Sequence, residues 1–216
     1  MVLWLFVGTF AFITLWIAIY SILPPPVTPY MIAERVRLRE PLKREWQPLE
    51  DIAPAVGRAV VAAEDANFCL HWGLDTLALR AAIEGGATRG GSTISQQTVK
   101  NLFLWHGRSW TRKGLEALIT PLMEAVLTKR RILELYLNVA EFDAGVFGIE
   151  AAARHYFGVE AWELTPLQAA RLAAILPDPK GRSATQPSVA MQAKAVRLID
   201  GAETIAADGR ANCFET

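Results

Sequence analysis

The N-terminal segment constrains the fold more than any other part of the chain. Residues 1–23 are almost wholly apolar, and no Asp, Glu, Lys or Arg occurs before Glu34. A helix that crosses the hydrocarbon of a bilayer needs about 20 such residues, and Pro24-Pro25-Pro26 would follow it as a stiff, extended exit. We therefore predict a transmembrane anchor over residues 1–23. The alternatives are a buried core helix and a cleaved secretory signal, which normally has a basic start and a small-residue cleavage site.

The composition excludes several classes of protein. The chain has 216 residues, and 52% of them are hydrophobic, so a disordered or fibrous protein is excluded. Basic and acidic residues are equal in number, 22 of each, whereas a nucleic-acid binder normally has a basic excess. The cysteines, Cys69 and Cys213, form no CxxC pair and are too few for a disulfide scaffold. We expect no nucleic-acid partner and no zinc site, and a bridge between the cysteines is left open.

The rest of the chain divides into a connector and a helical domain. Residues 24–50 contain prolines and charges, and the alternation over residues 35–39 favours an edge strand or an extended arm. From Ile52 onward the apolar spacing is helical, and strand-like runs are nearly absent. The predicted fold class is therefore mainly α.

Cap residues and apolar spacing place the predicted helices, and Pro121 should kink or end one of them. Thr165, Pro166 and Gln168 form the best local signal, a capping box with proline at the first helical position. The first predicted helix begins at Pro54, and the second covers residues 76–87. A third is capped by Ser92 or Thr93 and ends at about residue 104, and three more cover residues 115–126, 132–138 and 149–157. The last two run from Thr165 to a point before Pro177 and from Ser188 to about residue 207.

The adjacent acids Glu64 and Asp65 are the first candidates for chemistry. They follow the apolar run VVAA, and partial burial of a carboxyl raises its pKa into the range that is useful for general acid–base catalysis. The alternative is an acidic helix end that faces water, which is the usual place for acids.

The second candidate is the segment over residues 90–101. Its glycines allow close backbone approach, the helix start supplies free N–H groups and Lys100 supplies a cation, a combination that suits phosphate or diphosphate oxygens. The alternative is a glycine turn followed by a polar helix surface. The segment is not a Walker motif, because GxxxxGK[ST] is missing.

The third candidate is the segment Arg112-Lys113-Gly114-Leu115-Glu116. Arg112 and Glu116 are four residues apart and could form a simple surface ion pair. Alternatively, Glu116 is a second catalytic carboxylate, with cations beside it for a leaving phosphate. The histidines have no metal-ligand spacing.

Taken together, these segments resemble the family 51 peptidoglycan glycosyltransferases. Residues 64–73, EDANFCLHWG, are similar to the family's ED-x-x-F-x-x-H-x-G motif, and residues 91–101 to its G-S-T-x-x-Q-Q-x-x-K-N motif. Residues 112–116 are similar to the R-K-x-x-E motif, and residues 129–138, KRRILELYLN, to the motif after it. The motifs occur in the family's order, so their joint specificity is high.

The resemblance implies a lysozyme-like glycosyltransferase domain over residues 51–216, preceded by one N-terminal transmembrane helix. It implies polymerisation of lipid II into β1,4-linked glycan, with release of undecaprenyl diphosphate, by an enzyme of the bacterial inner membrane. The domain would lie on the periplasmic side, although the positive-inside rule alone favours the cytoplasm. No penicillin-binding domain follows, so a monofunctional member is expected. The expected partners are lipid II, the growing glycan and the membrane, with cell-wall synthesis or divisome proteins as further candidates.

The resemblance also implies roles for individual residues. Glu64 would be the general base of an inverting displacement, and Glu116 a second catalytic group that positions cations, a metal ion or the leaving group. No cofactor is required, and a divalent cation (Mg²⁺ or Mn²⁺) is left open. The implied substrate-binding residues are Asp65, Phe68, His71, Ser92, Thr93, Gln96, Gln97, Lys100, Asn101, Arg112 and Lys113.

Two other functions compete with this interpretation. A lysozyme-like glycoside hydrolase also uses paired carboxylates, but it needs no cation set for a diphosphate. A membrane-anchored scaffold without enzymatic activity would tolerate the loss of Glu64.

Overall fold

The computed structural model describes residues 2–76, 80, 91–107 and 109–215. This part of the chain is mainly helical, as predicted. Its helices, in chain order, are α1 (Val2–Ile19), α2 (Pro29–Leu38), α3 (Pro54–Glu64), α4 (Ile94–Phe103), α5 (Trp110–Val126), α6 (Lys129–Val139), α7 (Ile149–Phe157), α8 (Pro166–Ile175), α9 (Val189–Ala207) and α10 (Asn212–Glu215). Single 3₁₀ turns cover Leu49–Asp51, Phe68–Leu70 and Ala161–Glu163.

The described strands form one small sheet. They are β1 (Lys43–Arg44), β2 (Glu141–Asp143) and β3 (Val146–Phe147), in the spatial order β1-β3-β2. β1 pairs with β3 in parallel and β2 pairs with β3 antiparallel, with an irregular register between Glu141 and Asp143. β2 and β3 follow α6 in the chain and lead into α7, whereas β1 lies between α2 and α3.

Two helical groups build the core and bring the candidate residues together. In one group, α3 packs against α8 and α9, and close approach is possible because the buried face of α8 is rich in alanine. In the other group, α4 packs against both α5 and α6. The end of α3 and the start of α4 therefore meet where the two groups join.

The predicted helix starts are confirmed where the sequence offers a cap. Thr93 accepts a hydrogen bond from the backbone N–H of Gln96 and begins α4, and Thr165 does the same for Gln168 at the start of α8. Ser188 caps α9. The helix predicted over residues 76–87 falls mostly outside the described residues.

The edge strand or extended arm predicted from the alternation over residues 35–39 is wrong. Thr28 caps a helix with proline at its first position, so residues 29–38 form α2 and not an edge strand. Tyr30 and Met31 are buried, and α2 packs against α4. Because arginines alternate with apolar residues over positions 35–39, the sequence pattern resembled that of a strand and did not indicate a helix.

Pro121 does not end its helix. It lies inside α5, which continues from Trp110 to Val126. The Thr120 hydroxyl donates to the Glu116 carbonyl oxygen at 2.6 Å in the turn before the proline.

Helix α1 is apolar, and its C-terminal end packs against the domain. Trp16 contacts Phe103 with ring centroids 5.4 Å apart, and Tyr20 is buried. Arg131 donates to the backbone oxygens of Tyr20 and Leu23. Within the described part of the chain, no helix is both long and apolar enough to cross a membrane, so the transmembrane helix predicted over residues 1–23 is not supported.

The cysteines form a disulfide, which the sequence had left open. Cys69 and Cys213 are bonded, and their Cα atoms are 5.6 Å apart. The bond joins the turn after Glu64 to α10, near the C-terminus.

Candidate active site

Glu64 is the last residue of α3, and its carboxylate reaches the first half of α4. The Gln97 side-chain amide donates from Nε2 to Glu64 Oε2 at 2.9 Å. In turn, Gln97 Oε1 accepts a hydrogen bond from the Tyr136 hydroxyl at 3.2 Å. Three helices, α3, α4 and α6, therefore fix the position of this carboxylate.

The surroundings of Glu64 alter its acidity in opposite directions. Burial raises the pKa of the Glu64 carboxyl above its usual value and is the largest cause. The hydrogen bond from Gln97 and the charges of Lys194 and Lys100 lower it, whereas the charge of Asp65 raises it. The net shift is upward, which improves a carboxylate as a proton acceptor.

Glu116 has a different environment, on the first half of α5. It is buried, with 2% of its surface exposed. Its Oε1 accepts from Arg112, and its Oε2 accepts from Lys113 Nζ at 2.9 Å. Lys113 also donates to the Ser92 hydroxyl at 2.8 Å. Because both of its oxygens are held by cations, Glu116 fixes those cations and is poorly placed to accept a proton.

Lys100 brings a third cation to the same space from α4. Burial lowers the pKa of the Lys100 ammonium, and the neighbouring charges of Arg112 and Lys113 lower it further, while that of Glu116 raises it. The positive charge therefore exceeds what Glu116 alone can neutralise. In addition, the Arg112 Nε is buried and has no hydrogen-bond partner among the described residues.

These side chains line one open cleft of about 370 Å³. The cleft places a carboxylate with a raised pKa in the same space as a cluster of cations. Such an arrangement can remove a proton at one point and stabilise developing negative charge at another. The lining residues are Glu64, Ser92, Gln97, Lys100, Arg112, Lys113, Glu116 and Pro177.

Asp65 joins the turn after Glu64 to the start of α4 through a hydrogen bond. Its Oδ2 accepts the backbone N–H of Ile94 at 2.9 Å, and its Oδ1 lies 2.8 Å from His71 Nε2. A carboxylate at a helix N-terminus is stabilised by the free N–H groups there. Both residues were predicted to bind substrate, which stays a prediction, and the contacts of Asp65 hold the turn that follows Glu64.

Thr93 and Gln96 hold the loop that carries Ser92. They form a reciprocal capping box at the start of α4, and the Thr93 hydroxyl also donates to the Gly73 carbonyl at 2.6 Å. Gly73 has a φ of +76°, and a Cβ there would lie 2.5 Å from Thr120 Cγ2, so only glycine fits. The residues predicted to bind substrate at these positions are buried and support the loop.

Two further predicted binding residues lie away from the lining of the cleft. Phe68 is fully buried and packs against Phe214 with ring centroids 6.4 Å apart, so its side chain belongs to the core. Asn101 faces a neighbouring cavity of about 260 Å³, which also borders Gln97 and Lys100. There its Oδ1 lies 3.1 Å from His106 Nε2.

Sequence reasoning missed the contributions of Tyr136 and Lys194. Tyr136 lies in the LELYLN segment of α6. That segment is part of the last family motif, but the motif gave Tyr136 no role. Lys194 lies on α9, donates to the Ala174 carbonyl oxygen at 3.4 Å, and is close enough for its charge to lower the pKa of Glu64. No local pattern in the α9 sequence marks this lysine.

Among the described residues, one group of three possible metal ligands lies outside the lining of the cleft. Asp65, His71 and Asp75 each offer one atom within 4.8 Å of the others. However, the Asp65 oxygens already engage His71 and the N–H of Ile94. The oxygens of Glu116 are likewise taken by cations. We therefore assign no metal to this site.

Comparison with known sequences identifies the family. A sequence profile described as Transglycosylase matches residues 31–202. The chain belongs to the transglycosylase family. The matched range covers α3, α4 and α5, the helices that supply cleft residues to this transglycosylase.

Curated relatives of this transglycosylase are similar over most of their length. A biosynthetic peptidoglycan transglycosylase of Jannaschia sp. (strain CCS1) is 59% identical over 214 residues, which are 98% of this chain and 89% of that protein. One from Caulobacter vibrioides is 49% identical over 203 residues, 91% of this chain and 87% of that protein. One from Pseudomonas putida (strain GB-1) is 48% identical over 188 residues, 83% and 80% respectively.

Proposed function

We propose that this chain is a peptidoglycan glycosyltransferase that polymerises lipid II into glycan strands. Family membership and the similarity to biosynthetic peptidoglycan transglycosylases support this function. The observation that carries the mechanism is the single cleft in which Glu64 faces Lys100, Arg112 and Lys113. Such a cleft suits a reaction in which a hydroxyl attacks and a diphosphate leaves.

Glu64 acts as the general base. The C4 hydroxyl of the acceptor lipid II attacks C1 of the donor chain, and Glu64 takes the hydroxyl proton as the new bond forms. Its burial raises the pKa of the carboxyl, which strengthens it as a base. Direct displacement on an α-linked donor inverts the anomeric centre and yields a β1,4 glycan.

The cations hold the leaving undecaprenyl diphosphate. Lys100, Arg112 and Lys113 stabilise the negative charge that grows on the diphosphate as the bond to C1 breaks, and charges fixed in advance do this without reorganisation. Glu116 positions Arg112 and Lys113 for this task. The Ser92 hydroxyl lies beside Lys113 and contributes a hydrogen bond to the donor.

The domain acts at the bacterial inner membrane, on its periplasmic side. The Cys69–Cys213 disulfide supports an oxidising compartment such as the periplasm. Exposed apolar side chains on α1, including Trp4, Phe10 and Phe12, support contact with lipid. Single-pass insertion of residues 1–23 and contacts with cell-wall synthesis or divisome proteins stay predictions.

The test is polymerisation of fluorescent lipid II by the detergent-solubilised chain, with the products separated on a gel. A ladder that lysozyme digests is expected from the native chain and not from Glu64→Gln. A ladder of normal intensity from Glu64→Gln would overturn the assignment of the base. No ladder from the folded native chain, with lipid and divalent cation supplied, would overturn the function.

A further inference from the structure

Tyr136 carries a buried hydroxyl that the proposed mechanism does not use. The residue lies on α6, and 1% of its surface is exposed. Its hydroxyl is 3.2 Å from Gln97 Oε1, and Gln97 Nε2 is 2.9 Å from Glu64 Oε2. A continuous chain of hydrogen bonds therefore runs from α6 through α4 to the carboxylate at the end of α3.

The chemistry of these groups fixes the direction of each bond. An ionised carboxylate only accepts, so the Gln97 amide must turn its nitrogen toward Glu64. Its oxygen then faces Tyr136, which must donate. Burial raises the pKa of the Tyr136 phenol well above its usual value, so the hydroxyl keeps its proton over the working pH range.

We propose that Tyr136 is a positioning residue that holds the amide nitrogen of Gln97 on the ionised carboxylate of Glu64. It acts through Gln97 and keeps the base charged and fixed in orientation before the acceptor hydroxyl arrives. This inference rests on the proposed role of Glu64 as the base. It also gives Gln97 a role that differs from the donor contact predicted from the sequence.

Other charged groups also face Glu64 and set the background for this effect. Lys100 on α4 and Lys194 on α9 favour the ionised form, and the adjacent Asp65 opposes it. From α5, the cations Arg112 and Lys113 and the carboxylate of Glu116 line the same cleft. A Tyr136→Phe substitution leaves all of these charges in place, so its effect isolates the hydrogen bond.

Loss of the Tyr136 hydroxyl leaves Gln97 Oε1 without its donor. The amide is then free to turn its oxygen toward Glu64, and this orientation favours the protonated carboxyl. In Tyr136→Phe we expect the acid limb of kcat/KM against pH to move upward by about one pH unit. At the alkaline plateau, where the base is ionised in both proteins, kcat should change much less than it does on the acid limb. KM should stay the same.

The experiment measures kcat and KM for lipid II polymerisation against pH in the full chain. Tyr156→Phe is the matched control, because its hydroxyl donates to the Phe142 carbonyl at 3.0 Å, away from the cleft. The control should leave the limb in place. A purely structural role of Tyr136 would lower the plateau and the unfolding temperature without moving the limb, and that result would overturn the proposal.

A second set of variants covers the case in which Tyr136→Phe fails to fold. Gln97→Met removes the donor to Glu64 at nearly constant volume, and it should move the limb in the same direction. In the double variant the shifts should not add, because both changes break one chain of bonds. An unmoved limb in Gln97→Met, or additive shifts, would overturn the proposal. Normal polymerisation by Glu64→Gln would overturn the assignment of Glu64 as the base. If Glu64→Gln is inactive but the acid limb of Tyr136→Phe does not move, only the positioning role of Tyr136 is overturned.

Discussion

The two carboxylates of the cleft, at the end of α3 and on the wall formed by α5, have opposite surroundings. Glu64 is half-buried and accepts a hydrogen bond from the neutral amide of Gln97. Glu116 is buried and is held by two cations, Arg112 and Lys113. Burial therefore disfavours the charge of Glu64, whereas the charge of Glu116 holds two cations in place.

This difference separates the proposed roles. A carboxylate whose ionised form is disfavoured by burial gains from accepting a proton, whereas one that neutralises cations must keep its charge. Glu64 accordingly suits proton transfer, and Glu116 suits the positioning of the groups that hold a diphosphate.

The largest effect is expected from Glu64→Gln. The amide keeps the shape of the side chain but cannot accept the proton, so kcat should fall by about a thousandfold. The measurement is initial-rate polymerisation of fluorescent lipid II. Glu203→Gln, an exposed change on α9, is the control and should polymerise normally.

The stability of Glu64→Gln provides an independent check. Because burial raises the folded-state pKa of Glu64 above its unfolded value, the folded state favours the protonated form, and its stability falls as the pH rises through that pKa. At neutral pH the neutral Gln should therefore unfold at the same temperature as Glu64 or at a higher one. A lower unfolding temperature in a thermal melt would contradict the assigned burial.

A smaller loss is expected from Glu116→Gln. Arg112 and Lys113 lose the charge that holds them, so kcat should fall by about a hundredfold. The free energy of unfolding should also fall, by about 1–3 kcal/mol, because the amide offers one acceptor oxygen where the carboxylate offers two, so one of the two cations loses its hydrogen bond. Urea unfolding beside the rate assay measures both. An active and fully stable variant would contradict the positioning role.

The native chain should show an acid limb that belongs to Glu64. The limb should lie above pH 4.5, the usual glutamate pKa, because burial raises the pKa of this carboxyl. Below it, kcat/KM should fall about tenfold per pH unit as the base is protonated. Activity that stays constant down to pH 4.5 would show that no raised carboxyl takes part.

The smallest effect is expected from Thr93→Ala. It removes the cap of α4 and the bond to the Gly73 carbonyl, so the free energy of unfolding should fall by about 1 kcal/mol. Activity should fall less than in either carboxylate variant, since Ser92 is only loosened. Thr165→Ala is the matched control, because the same capping box at α8 lies away from the cleft. It should lower stability somewhat less, because Thr165 makes no second bond within the described part of the chain like that of Thr93 to Gly73, and it should leave activity unchanged.

Local signals in the sequence predicted much of the fold. Thr93, Thr165 and Ser188 each satisfy N–H groups at a helix start, and these contacts depend only on residues three or four positions away. α2 was missed because its arginines alternate with apolar residues, and its burial depends on packing against α4, which the sequence does not display. The lysozyme-like architecture stays a prediction.

The candidate site was predicted by residue type more reliably than by role. The cations and both carboxylates line one cleft, as the motifs indicate. Whether Gln97 faces a substrate or Glu64, and whether Phe68 faces the cleft or the core, depends on side-chain directions between helices that are distant in sequence. Lys194 is more than a hundred residues from Glu64 in the chain, and only packing of α9 against α3 brings them close.

The most direct test of the contrast is the pH dependence of kcat/KM in Glu116→Gln beside the native chain. We expect this variant to be slower but to keep the acid limb, displaced slightly to lower pH by the loss of a negative charge in the cleft. Loss of the limb in Glu116→Gln would contradict the assigned roles, because it would identify Glu116, and not Glu64, as the carboxylate that takes the proton.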